Sequence, residues 1–256
     1  MLNEVKQVGS RYYGTFDYFT SKSKISSSDS GLFAADDYNN TKSYFYRGMV
    51  DNNYVRFACN YYKIIRINGD GSIRLIYVGP TTSTTQGIAN ASFNSTDGRI
   101  YSLFYMYVGI KTRASYNTRA SLQSYFFDNY NNETDQNRGV EGNGALSYKV
   151  GLITLNDIYY AGSFGGAGQS NNYLFYGNWT RSWTMSPFQY KYDSFTTRTI
   201  YILTYSNVVG TSPNGSYIIR PVINLDKDTY ITGGSGTSSC PYEVISKQEY
   251  DSIHNN

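Results

Sequence analysis

An α+β fold of short antiparallel strands with two helices follows from three features of this 256-residue chain. Runs rich in Tyr, Ile, Val and Phe recur from Ser43 to Val78 and again between residues 173 and 245, broken by Gly, Asn, Asp and Pro. Two intervening stretches carry helical signals. Neither regular βαβ alternation nor an internal repeat organises them, so strands and helices are segregated along one domain of ordinary size.

The elements follow in order. Residues 1–42 combine aromatic pairs, Tyr12-Tyr13 and Tyr18-Phe19, with the Ser-rich stretch Ser21 to Ser30, and predict a leading strand and a loop. From residue 43 to residue 245 lies the main domain. Its first strands are Tyr44 to Gly48, Tyr54 to Ala58, Tyr61 to Asn68 and Ile73 to Val78. Asn68-Gly69-Asp70-Gly71 between the last two predicts a hairpin, because Asn-Gly tolerates the positive φ angles of a tight turn. Ala114, Ala120, Leu122, Tyr125 and Phe126 are spaced for an amphipathic helix over residues 113–129. Thr154-Leu155-Asn156-Asp157 is a capping box that starts a short second helix, ended by Gly162. Short strands and turns occupy residues 173–245, and residues 246–256 read as a polar tail.

Composition narrows the partners. Hydrophobic residues make 40% of the chain and charged ones only 16%, so Asn, Ser, Thr, Gly and the hydroxyls of 29 tyrosines must supply solubility. That balance is commoner outside the cell than in the cytosol, and an extracellular or cell-surface location is expected. Tyrosine at the surface gives a stiff contact area with one hydrogen-bonding group, as in paratopes; equally, it tiles broad sheet faces. A net charge of +3, with Lys and Arg scattered, does not suit nucleic acid. The start Met1 to Lys6 is polar and no apolar run approaches a membrane span, so a leader or anchor would lie outside this chain and no direct membrane insertion is expected. Cys59 and Cys240 either staple an early strand to the C-terminal one or remain free thiols.

Catalytic groups are scarce. The single histidine, His254, lies in the polar tail, which disfavours a His-assisted nucleophile or a His-based metal site. Asp36-Asp37 and Asp226 with Asp228 fit solvated loops or loose cation ligands better than acid/base partners. No enzyme, cofactor or metal is expected.

A recognition face is suggested by residues 171–220, which hold both tryptophans and twelve aromatics against one acid, interleaved with small polar groups. Tyr173, Trp179, Tyr190, Tyr192, Arg198, Tyr201, Leu203, Tyr205 and Asn207 are the candidate ligand-binding residues. Within Thr199 to Tyr205 alternation lets Ile200 and Ile202 face the core while Tyr201, Leu203 and Tyr205 share the other side. Trp183, Met185, Phe195 and Ile200 read as core, and Arg220 as scaffold.

A family resemblance is carried by Tyr46-Arg47-Gly48, Asn52 to Ala58, Lys63 to Ser72, Gly151 to Thr154, Trp183-Thr184-Met185-Ser186-Pro187 and Arg220 to Leu225. Over residues 43–245 the chain resembles uncharacterised surface proteins of gut Firmicutes with a C-type-lectin-like domain, the fold shared with formylglycine-generating enzymes. It is also similar to the variable proteins of diversity-generating retroelements. The resemblance implies a C-type-lectin-like fold and a non-enzymatic display domain whose hypervariable C-terminal face binds a protein or glycan. Adenine-directed mutagenesis would leave Asn, Tyr, Ser, Asp and Thr at varied sites, in keeping with residues 173–217. Calcium-dependent sugar binding is not implied, because Glu-Pro-Asn, Gln-Pro-Asp and Trp-Asn-Asp are all missing. Two other readings are a calcium-independent glycan-binding module, with Trp179 and nearby tyrosines stacking on sugar rings, and a self-assembling surface protein.

Overall fold

The computed structural model describes residues 10–15, 30–36, 42–82, 89–92, 150–162, 172–174, 181–190, 198–203, 208–211 and 215–254. The architecture is mixed and sheet-rich, α+β in the broad sense. The strands are β1 (Ser10–Thr15), β2 (Gly31–Asp36), β3 (Lys42–Arg47), β4 (Tyr54–Phe57), β5 (Asn60–Ile67), β6 (Ile73–Gly79), β7 (Ala89–Ser92), β8 (Val150–Gly151), β9 (Ser182–Tyr190), β10 (Arg198–Leu203), β11 (Val208–Thr211), β12 (Ser216–Ile219), β13 (Val222–Leu225), β14 (Tyr230–Gly233) and β15 (Tyr242–Ile245). The helices are α1 (Leu155–Ala161) and α2 (Lys247–His254).

Strand β5 is the hub of the larger sheet. One of its edges is shared, β4 pairing with its start and β3 with its end, while β6 runs along the other edge. Beyond β3 lie β2 and β1; beyond β4 lie β15 and β14; beyond β6 lie β13 and β8. The second sheet has the order β11-β10-β9-β12-β7. Pairing is largely antiparallel, as expected, but β1–β2, β4–β15 and β9–β12 are parallel.

The middle of β5 is buried on both faces, since Lys63, Ile64 and Ile65 in succession are almost fully enclosed. A strand covered on both sides needs an apolar run instead of strict alternation, and Tyr61 to Ile67 supplies one. Its side chains join Leu75, Ile76, Ile153, Ile158, Leu174 and Val222 in the main core. Phe33, Phe45 and Tyr160 form a satellite, with the Phe45 and Tyr160 rings 4.4 Å apart.

Several expectations meet a different outcome. Within the leading segment, β2 pairs with β3 over six residues and Leu32, Phe33 and Ala34 are buried. The hairpin after β5 forms, yet its loop is longer than a tight Asn-Gly turn, and the positive φ falls on Gly71 (89°). The tight two-residue turn is instead Ala58-Cys59, between the paired residues Phe57 and Asn60, with φ of 47° and 60°. That geometry is the one usually given to Asn-Gly, and two residues with Cβ atoms accept it here. Cys59 is thus in a turn and not in a strand. The polar tail folds as α2, capped by Ser246, whose Oγ accepts from Glu249 N at 3.1 Å while Glu249 Oε2 accepts from Ser246 N at 2.9 Å. The helix predicted over residues 113–129 lies outside the described residues.

The cysteines do not pair. The parallel register sets Tyr242 opposite Val55, which puts Cys240 level with the start of β4 while Cys59 lies past its other end. Both thiols are free and exposed.

Candidate functional site

The predicted window is built on the hairpin-like pair β9 and β10. Tyr190 and Arg198 are direct cross-strand partners at the end where the two strands connect. Tyr201 is opposite Gly210 of β11, and Leu203 is opposite Ser182 on one side and Val208 on the other. The ladder is irregular around Pro187, which cannot donate a backbone hydrogen bond and sits at a register shift opposite Ile200. Trp179, Tyr192, Phe195, Tyr205 and Asn207 lie outside the described residues, as do the side chains of Met185, Tyr190, Arg198, Ile200, Tyr201 and Leu203.

The two ends of β9 differ. At its start Ser182, Trp183 and Thr184 are all buried, so both faces of the strand are covered there. The Trp183 ring meets the Tyr217 ring edge-on at 4.8 Å, and the Tyr217 hydroxyl bonds Thr211 Oγ1 at 2.9 Å, tying β12 to β11. This end is scaffold, as read for Trp183. Leu203, level with Ser182, belongs to this end by register, whereas Tyr190 and Arg198 belong to the opposite one.

Tyr173 requires a correction. Its side chain is fully buried in the main core, and burial, with the Asp157 carboxylate adding, holds its phenol well above the ordinary range. A residue so enclosed cannot join a surface that touches a ligand. Alternation could not reveal this, because Asn172 and Leu174 on either side are buried too and the segment forms a turn.

The main core holds a set of buried charges that sequence reasoning passed over. Asp157 on α1 accepts from Arg74 Nε at 3.0 Å and faces Arg66 at 3.7 Å. It also completes the capping box: its Oδ2 accepts from Thr154 N at 3.2 Å and Thr154 Oγ1 at 2.7 Å. Burial pushes this carboxyl up, but Arg74, Arg66 and the Thr154 bonds outweigh burial and hold it below the usual range. Arg47 donates to the Tyr160 carbonyl at 3.1 Å and Arg220 to the Tyr77 carbonyl at 3.1 Å. Lys63 donates to the Tyr173 carbonyl at 3.1 Å and lies 4.7 Å from the Tyr54 ring centre. Burial, aided by the Arg220 guanidinium, brings its ammonium down to about 7.

No family model, curated protein or solved structure matches this chain.

These charges hold elements together across long sequence separations: α1 to β5 and β6, segment 172–174 to β5, and the residue after β12 to β6. Each guanidinium reaches a backbone carbonyl or the one carboxylate, which suits positioning: Asp157 Oδ2 caps α1 and bonds Arg74, while Oδ1 faces Arg66 at 3.7 Å. The signal for Lys63 was its place inside an apolar run, Tyr62-Lys63-Ile64-Ile65, where a solvated lysine would be out of pattern. Among the described residues, no group of three or more His, Cys, Asp or Glu is placed to hold a metal ion. Asp226 and Asp228 form a turn in which Asp228 N donates to Asp226 Oδ1 at 2.9 Å.

Proposed function

We propose that this chain is a non-enzymatic ligand-binding display domain of the C-type-lectin-like kind, acting outside the cell. It binds a protein or glycan through the Tyr190–Arg198 end of the β9–β10 pair, and Trp179, Tyr192, Tyr201, Tyr205 and Asn207 are proposed to contribute. The observation that carries this reading is the register in which Tyr190 and Arg198 are directly opposed at the strand ends, while the other end of β9 is enclosed. Tyr and Arg are among the residue types enriched at the energetic centres of protein interfaces. Diversification by a retroelement fits the Asn, Tyr, Ser and Thr content of residues 173–217.

A display library tests the reading. Randomising positions 190, 192, 198, 201, 205 and 207 together should leave most clones folded and protease-resistant, and selection should yield binders to unrelated targets. Randomising Trp183 and Arg220 should unfold most clones. If both libraries lost folding equally often, the window would be structural and the reading wrong. Related loci should also differ at adenines concentrated in this window.

A further inference from the structure

We propose that the cleft between the β4–β5 hairpin, the β13–β14 turn and the first turn of α2 binds a neutral oligosaccharide, on a surface separate from the β9–β10 window. Two adjoining hollows, of about 500 and about 610 Å3, share Phe57, Ser246 and Gln248. Phe57 is half-buried between them, its ring backed by Tyr62 at 6.4 Å. Buried Leu225 and Val244 give each hollow an apolar lining.

Three polar groups of the cleft are planar and free of side-chain hydrogen bonds. The amides of Asn224 and Gln248 and the carboxylate of Asp228 are exposed, and their side chains bond nothing among the described residues. A sugar ring presents an apolar C–H face and a rim of hydroxyls that both donate and accept. An amide offers a donor and an acceptor side by side, and a carboxylate two acceptors, which match neighbouring hydroxyls. The aromatic edge and aliphatic lining meet the C–H face.

Charge fixes the class of sugar. Asp226, Asp228 and Asp251 border the larger-rimmed hollow against one cation, Lys247, whose ammonium is 2.9 Å from Asp251. The remaining negative excess repels sulfated, phosphorylated or sialylated glycans and leaves neutral ones favoured. A peptide helix is a poorer fit, because polar groups interrupt the apolar lining along its length.

Saturation-transfer NMR on the intact chain, with a panel of cello-, xylo-, manno-, galacto- and chito-oligosaccharides, tests the proposal. Transfer to at least one neutral series is expected. Affinity should fall about fivefold or more in Phe57→Ala and in Gln248→Ala and stay unchanged in Tyr190→Ala. Gln248 is solvent-exposed, so its variant keeps the test valid should Phe57→Ala prove unstable. Transfer to no member of the panel would overturn the proposal. So would transfer that Phe57→Ala and Gln248→Ala leave intact; loss in Tyr190→Ala alone would move the sugar to the β9–β10 window.

Discussion

Replacing Lys63 by Met should abolish a rise of stability with pH that the parent chain shows from about pH 7 to about pH 9.5. Lys63 is 3% exposed, and its ammonium titrates at about 7 in the folded chain against 10.5 in its ordinary state. In that interval the unfolded chain therefore holds one proton more than the folded chain, and stability rises with pH. Each pH unit is worth about 1.4 kcal/mol, so the gain by about pH 9.5 is ~3 kcal/mol. Below about pH 7 both states carry the proton and this dependence disappears. Above about pH 10 the sign reverses, because burial raises the phenols of Tyr46, Tyr62 and Tyr173 and the unfolded chain loses those protons first. Urea unfolding followed by tryptophan fluorescence, at half-unit steps of pH, measures the slope. The Met variant fills the same space between the Tyr54 and Tyr173 rings but forfeits one hydrogen bond to the Tyr173 carbonyl, a loss of about 1 kcal/mol that does not vary with pH. A flat parent profile, or a slope that survives in the variant, would refute the assignment of a charged lysine brought close to neutrality by enclosure.

The remaining expectations are shorter. Asp157→Ala should cost about 3–5 kcal/mol in chemical denaturation, since it strips Arg66 and Arg74 of a buried counter-ion and α1 of its cap. Because the carboxyl is held below its ordinary value, its contribution is present above about pH 4 and fades as pH falls further; a parent whose stability is unchanged down to about pH 2.5 would contradict this. Trp183→Ala should lower stability by about 3–5 kcal/mol and release the Tyr217 ring, visible as a changed near-ultraviolet circular dichroism; a melting curve like the parent's would deny its scaffold role. The double change Ala58→Asn with Cys59→Gly should raise stability by about 1–2 kcal/mol, because both positions hold positive φ; no gain would mean the turn is relaxed in solution.

The strands β4, β5 and β6 and the capping box of α1 could be read from residue order because local chemistry decides them: runs of β-branched and aromatic residues, and a threonine three places before an acid. Trp183 was legible as scaffold from the strand-like run Trp183-Thr184-Met185-Ser186-Pro187, and Arg220 from its place before a proline in an otherwise apolar stretch. Tyr173 was not, since its burial depends on Lys63 and on Gly48, whose carbonyl accepts from Tyr173 N at 2.9 Å, far away in sequence. Helix α2 was missed because its residues are polar; none is buried, and it is held by a capping box and by Tyr250 stacked between Tyr230 and His254 at 4.2 and 4.1 Å. The cleft beside it escaped notice because Phe57, Asn224 and Gln248 come from three distant segments, brought together by the pairing of β15 with β4 and of β13 with β6.

That parallel pairing has a kinetic corollary. Val55 meets Tyr242 and Arg56 meets Glu243 across a loop that spans most of the chain. Closing so long a segment costs entropy that no local contact returns, so β15 should join the sheet late and folding should be slow for a domain of this size. Until it does, the outer edge of β4 exposes unpaired backbone groups next to Tyr54 and Phe57. A nascent chain would thus carry an aromatic strand edge open to another copy for as long as its last strand was still to arrive.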